Sequence, residues 1–97
     1  MNFAKLRIVG KTYSFKIADI PDRGACEAVQ QKISIQEGLP PDEERDAALH
    51  EVMHAIEDAM GINMPDRNIR VLATGLYAVF RDNPAFFKYI GERIGKP

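Results

Sequence analysis

The stretch that decides the fold reads Ala47-Ala48-Leu49-His50-Glu51-Val52-Met53-His54-Ala55-Ile56. Both histidines of the 97-residue chain stand in it, four residues apart, and Glu51 directly follows the first. On an α-helix, side chains four residues apart lie one above the other on the same side. His50 and His54 can therefore direct their imidazoles at one metal ion, with Glu51 beside them. This HExxH spacing predicts a metal site on a helix.

The surrounding residues predict that helix. Pro41 suits its first turn, Asp42 can cap it with acidic residues following, and Gly61 is a typical stop. A continuous apolar face is formed at helical spacing by Leu49, Val52, Met53, Ile56 and Met60. Both histidines lie on the flank of this face, at the boundary between core and solvent. A metal cleft is expected at such a boundary.

The first third of the chain predicts a small sheet. Apolar and polar residues alternate on both sides of a turn at Gly10-Lys11, which indicates a hairpin. Turn residues are dense over 20–24, and residues 29–35 predict a third strand with Ile33 and Ile35 on one face. We therefore expect a three-stranded N-terminal sheet.

Two further helices are predicted after the HExxH helix. Asp66 is the expected N-cap of the first, whose apolar residues have helical spacing: Ile69, Leu72, Ala73, Leu76, Val79 and Phe80. Asn83 as cap and Pro84 as first residue begin the last helix. The expectation is one α+β domain over residues 1–97, with a sheet part at 1–38 and a helical part at 41–97.

Composition excludes several classes of function. The net charge is −1 and the basic residues are scattered, so no surface for nucleic acid is expected. No apolar run approaches the roughly 20 residues that a membrane span needs, and the N-terminus is not a signal peptide. Cys26 is the single cysteine, which excludes an internal disulfide and fits a reducing compartment. We expect a soluble cytoplasmic protein that binds neither nucleic acid nor membrane.

A catalytic zinc site needs a third protein ligand, and no histidine remains to supply it. Asp66 is the nearest downstream carboxylate, although it is also the expected N-cap. Packing of the second helix back on the first predicts that residues 70–74 lie at the level of His54, and none of these is a carboxylate. Asp58 and Glu57 follow too far along the same helix to share the ion, so they would orient an imidazole or face solvent.

Hydrolysis is the chemistry that these residue types favour. Zn²⁺ polarises a carbonyl and activates water, and Glu51 would serve as general base. Tyr77 is a candidate donor to an oxyanion, or else a tyrosine at the edge of the core. The alternative for the whole motif is a charged flank of an amphipathic helix that binds no metal.

The chain resembles the small HExxH proteins of phages and prophages, which are similar to the gluzincin branch of zincin metallopeptidases, including minimal gluzincins of about this length. The likeness rests on residues 47–56, the break at Gly61 and residues 72–84, and it covers roughly residues 28–84. It implies a minimal zincin-like fold, with a three-stranded sheet, an active-site helix and a following helix that supplies a glutamate ligand.

The resemblance also implies roles for single residues. His50 and His54 match the zinc ligands of the family, and Glu51 matches its general base. The glutamate ligand has only Asp66 as an approximate counterpart, because the position favoured by packing is Arg70.

Three functions follow from these expectations. The first is a zinc metallopeptidase of the host bacterium's cytoplasm that acts on a peptide or protein, active or latent with the helix at 85–94 covering its cleft. The second is an inactive zincin-fold protein that binds a host or phage regulator, suggested by the missing glutamate and the aromatic residues Phe86, Phe87 and Tyr89. The third is a structural role as a homo-oligomer, suggested by the same aromatic residues. The oligomeric state expected for the chain is a monomer or a weak dimer.

Overall fold

A computed structural model describes residues 4–92 of the chain. Its elements are β1 (Lys5–Ile8), β2 (Lys11–Ala18), β3 (Gly24–Glu27), β4 (Lys32–Gln36), α1 (Pro41–Met60), α2 (Asp66–Asp82) and α3 (Pro84–Gly91). The expected α+β class is confirmed. Residues 93 and 94, predicted to extend the last helix, lie outside the described part. Among residues 4–92, no helix has the length and apolar character needed to cross a bilayer.

The sheet has four strands in the order β1-β2-β4-β3, so the prediction of three strands is wrong. β1 pairs antiparallel with β2, and β3 pairs antiparallel with β4. The two central strands, β2 and β4, pair in parallel. The missed strand is β3, which reads Gly-Ala-Cys-Glu and contains no β-branched or aromatic residue. The hydrogen-bonded ladder with β4 stabilises β3, although the composition of β3 itself does not indicate a strand. This topology places β3 at the edge of the sheet.

The hairpin turn lies one residue earlier than predicted. Val9 and Gly10 both have positive φ, 46° and 83°, and Lys11 already belongs to β2. Positive φ at both central residues is the geometry whose twist matches a two-residue hairpin. Val9, whose branched Cβ disfavours this conformation, is the residue that the alternating pattern assigns to the strand.

One face of the sheet packs against α1 to form the core. The buried residues are Ile8, Tyr13, Phe15, Ile33, Ile35, Ala47 and Ala55. The shared face of Ile33 and Ile35 is confirmed, since both are fully buried. The helix contributes two alanines to this core, and their small side chains allow the helix axis to approach the sheet.

The apolar face predicted for α1 is buried only in part. Val52 packs against the core, but Ile56 and Met60 are 37% and 60% exposed. Glu51 and Glu57, by contrast, are only 8% and 9% exposed. The sheet instead contacts the side of α1 that carries Ala47, Glu51 and Ala55. The fold therefore turns two carboxylates of α1 inward and leaves large apolar side chains outside, a local conflict typical of functional sites.

Replacing Tyr13 by phenylalanine is expected to stabilise the protein. Tyr13 is 1% exposed, and its hydroxyl has no hydrogen-bond partner among residues 4–92. Because a buried unsatisfied hydroxyl is unfavourable, Tyr13→Phe should raise the free energy of unfolding by about 1 kcal/mol. Urea unfolding followed by circular dichroism measures this change. A loss of stability would show that the hydroxyl is satisfied in solution.

Polar contacts join the start of α1 to the second half of α2. Tyr77 donates from its hydroxyl to Oδ1 of Asp42 at 2.6 Å, and Thr74 donates to Oδ1 of Asp46 at 2.9 Å. Asp42 is thus not the predicted cap of α1, whose N-cap position is Pro40 without a side-chain hydrogen bond. These contacts fix α2 antiparallel to α1.

Candidate metal centre

Three side chains meet at the start of α2. Nε2 of His50 and Nε2 of His54 are 3.1 Å apart, and Oδ1 of Asp66 lies 3.5 Å from the first and 3.4 Å from the second. Among the described residues, these three form the one group of histidine, cysteine or carboxylate side chains placed to hold a metal ion. The structure thus brings Asp66 together with both histidines.

The spacing of these atoms fits a tetrahedral ion. Zn²⁺ with four ligands at about 2.0–2.1 Å separates its ligand atoms by about 3.4 Å. The three measured separations of 3.1, 3.4 and 3.5 Å lie within about 0.3 Å of this value. Two imidazole nitrogens and one carboxylate oxygen also form a donor set that zinc accepts. The three residues therefore fit three corners of a tetrahedral metal site.

The loop between the helices explains why Asp66 reaches this position. α1 continues six residues past His54, a rise of about 9 Å, and ends at Gly61 with φ 69°. Residues 61–65 then return along the end of α1, so that α2 begins beside His54. The expectation that residues 70–74 lie at this level is wrong. Thr74 lies two turns further toward the start of α1, against Asp46.

Asp66 is not used as a helix cap. The N-cap position of α2 is Pro65, and no side chain of the described residues forms a capping hydrogen bond at this end of the helix. The two carboxylate oxygens of Asp66 are instead divided between different partners. Oδ1 faces the imidazoles, and Oδ2 lies 3.8 Å from the guanidinium of Arg70. This arrangement favours ligation through a single oxygen.

Glu57 fixes the orientation of the second imidazole. Nδ1 of His54 lies 3.0 Å from Oε1 of Glu57, and the backbone N–H of Met64 donates to Oε2. The Met64 N–H foremost, and then the bond to His54, hold the pKa of Glu57 below its usual range. A carboxylate at this place accepts a hydrogen bond from Nδ1–H of His54, and this tautomer leaves the Nε2 lone pair available for a metal. The same side chain ties the loop before α2 to the site.

His50 is held in its neutral form. Burial, followed by the neighbouring His54, lowers the pKa of His50, and Asp66 only partly opposes this. A neutral imidazole is the form that binds a metal ion. Burial therefore favours the form of His50 that can ligate a metal ion.

Glu51 stands apart from the three metal-facing side chains, on the side of α1 that faces the sheet. Burial raises its pKa, with smaller contributions from Asp66 and Asp22, and His54 opposes the change. A carboxylate whose pKa is moved toward neutrality is better suited to accept a proton from water. The burial of Glu51 thus suits it to act as a proton acceptor.

A cleft of about 400 Å³ opens next to these residues. Its walls come from the loop before β3, the start of β3, the middle of α1 and the first turn of α2, and His50, Glu51 and Asp66 all contribute to it. Arg23 on its rim is bound to the carbonyl oxygen of Glu43 and to Asp46. The cleft therefore connects the edge of the sheet at β3 with His50 and Asp66.

Other residues considered for the site lie elsewhere. Tyr77 lines a separate cavity of about 230 Å³, and its hydroxyl is bound to Asp42, so the structure does not bring it to the metal-facing group. Asp58 pairs with Lys11 at 3.9 Å. Among the described elements α3 contacts α2 alone, so the described part of the last helix does not cover the cleft.

The thiol of Cys26 is expected to react slowly. Burial raises its pKa from 9.0 to about 11, and the negative charges of Glu51, Asp58 and Glu27 add to the effect. Because the thiolate is the reactive form, alkylation by iodoacetamide at pH 8 should be about 100-fold slower in the folded protein than in urea. Mass spectrometry of timed samples measures both rates. Equal rates would contradict the burial of this thiol.

Comparison of the chain with known protein families, with curated proteins and with solved structures found no match. Two further residues that shape the site are difficult to recognise in the sequence. Glu57 is three residues after His54, a spacing at which helical side chains meet. Gly24 lies against the side chain of Glu51, and nothing in the sequence connects these two residues.

Proposed function

We propose that this protein is a zinc-dependent peptidase of minimal zincin type. His50, His54 and Asp66 are its zinc ligands, and Glu51 is its general base. The observation that carries this proposal is the triangle of ligand atoms with sides of 3.1, 3.4 and 3.5 Å. It supports zinc because the two nitrogens and the oxygen match both the donor types and the separations of a tetrahedral site.

Each residue has a distinct task in this proposal. A Zn²⁺ ion held by His50, His54 and Asp66 would supply a Lewis acid for a substrate carbonyl and for water. Glu51 would accept a proton from the attacking water and later transfer it to the leaving amine, a role that its raised pKa supports. Glu57 holds His54 in one tautomer, and Arg70 holds Oδ2 of Asp66.

The position of β3 supports an extended peptide as substrate. β3 is an edge strand of the sheet formed by residues 4–92, and its first residue, Gly24, lines the cleft. An extended segment can pair with an open strand edge through main-chain hydrogen bonds. A peptide bound in this way passes beside the histidines and Glu51.

Zinc binding and peptide hydrolysis test the proposal together. We expect one Zn²⁺ per chain by equilibrium dialysis and mass spectrometry of the native protein. Cleavage of a mixture of unstructured peptides should require this zinc, stop with a chelator, and return when zinc is added. Absence of bound zinc in metal-replete protein would exclude the proposal.

A second candidate is a zincin-fold protein that binds a partner without turnover. It is favoured by the apolar surface of the helices, where Leu72, Val79, Phe86 and Ile90 are between 44% and 58% exposed. Exposed apolar side chains in this number are typical of interaction surfaces. Proteolysis that is lost in Glu51→Ala would exclude this candidate, and light scattering would show whether the partner is a second copy of the chain.

A further inference from the structure

Gly24 lies at the start of β3, against the side chain of Glu51. A Cβ atom on Gly24 would stand 2.9 Å from Cγ of Glu51, 2.9 Å from its Oε2 and 3.2 Å from its Cδ. Non-bonded carbon atoms pack at about 3.5–4.0 Å, so these positions overlap. Glu51 therefore occupies the space that any side chain at position 24 would need.

The backbone does not account for a glycine at this position. In residues 4–92 the glycines with positive φ are Gly10, Gly38 and Gly61, and Gly24 is not among them. It pairs with Ile35 in the antiparallel ladder between β3 and β4. Glycine weakens a strand and marks places where another group approaches closely. The close approach here is that of Glu51.

We propose that Gly24 is a positioning residue for Glu51; this inference rests on the proposed peptidase function. Glu51 is 8% exposed, and its side chain extends from α1 to the start of β3. The overlap involves Cγ, whose position is set by χ1, and a helix permits few alternatives for this angle. A methyl group at position 24 would therefore turn the carboxylate away from its place beside the cleft.

The first test compares Gly24→Ala with Gly75→Ala in zinc-loaded protein. Gly75 lies within α2, and a Cβ there meets nothing within 4 Å. We expect Gly24→Ala to lower kcat about 100-fold, because small misplacements of a catalytic group have effects of this size. KM and zinc affinity should stay within about threefold of wild type, and Gly75→Ala should leave all three values unchanged. An unchanged kcat in Gly24→Ala would overturn the inference.

The second test measures thermal unfolding of zinc-free protein. Gly24→Ala should lower the Tm by about 5 °C in the wild-type background. In the Glu51→Ala background the same change should leave the Tm unchanged or raise it, because the space is vacant and alanine strengthens a strand. An equal loss in both backgrounds would overturn the inference. If zinc-loaded wild type cleaves no peptide, the proposed function fails, and this cycle still decides whether Gly24 sets the placement of Glu51.

Discussion

Replacing Asp66 by alanine is expected to lower the affinity for Zn²⁺ at least about 100-fold, because loss of a group that merely orients a ligand already costs 10- to 100-fold. The change removes the one carboxylate oxygen that lies within 3.5 Å of both imidazoles. The fold itself should be little affected, since the Asp66 side chain is 64% exposed. We expect the free energy of unfolding without zinc to change by no more than about 0.5 kcal/mol.

Asp82→Ala is the matched control for this experiment. Asp82 lies on the same helix, is 65% exposed and likewise pairs with an arginine, Arg81. Competition with a coloured chelator gives the zinc affinities, and zinc should raise the Tm of wild type and of Asp82→Ala but not that of Asp66→Ala. Equal zinc affinity in all three proteins would remove Asp66 from the ligand set.

The helical half of the fold is predicted well from sequence because its signals are local. Pro41 and Pro84 at helix starts and Gly61 at a helix end act through their own backbone preferences. The sheet is predicted less well, because β3 exists through pairing with β4 and not through its own composition. Long-range pairing is the information that a local pattern lacks.

The candidate site shows the same division. The spacing of His50 and His54 is a helical property and can be read directly. Whether Asp66 joins them depends on where α2 begins along the length of α1. The five loop residues 61–65 and the contact between Thr74 and Asp46 determine this position. Packing α2 back on α1 without this offset places residues 70–74 beside His54, which is one to two turns too late on α2.

The face that α1 turns to the sheet also could not be derived from its apolar pattern. Hydrophobic spacing selects Ile56 and Met60, yet the sheet packs on Ala47 and Ala55 with Glu51 between them. Close approach of α1 to the sheet requires small side chains, which a pattern of large apolar residues does not indicate.

Replacing Glu51 by glutamine is expected to affect stability and catalysis in opposite directions. Burial raises the pKa of Glu51, so its charged form is less favourable in the folded chain than in the unfolded chain. A neutral side chain of the same shape removes this penalty, and the free energy of unfolding of the zinc-free protein at pH 7.5 should rise. Loss of a general base should lower kcat for peptide cleavage by about 1000-fold, with zinc still bound.

The pH dependence of the stability gain identifies its cause. Because the folded pKa lies above the ordinary value of 4.5, the penalty exists only where the unfolded chain carries the charge. The gain in Glu51→Gln should therefore be complete above the raised pKa and should disappear as the pH falls below 4.5. Urea unfolding at pH 7.5 and pH 4 measures it. Glu44→Gln, which removes a favourable charge from the first turn of α1, should give no gain at either pH. A gain in Glu51→Gln that persists at pH 4 would mean that packing, and not the buried charge, is its source.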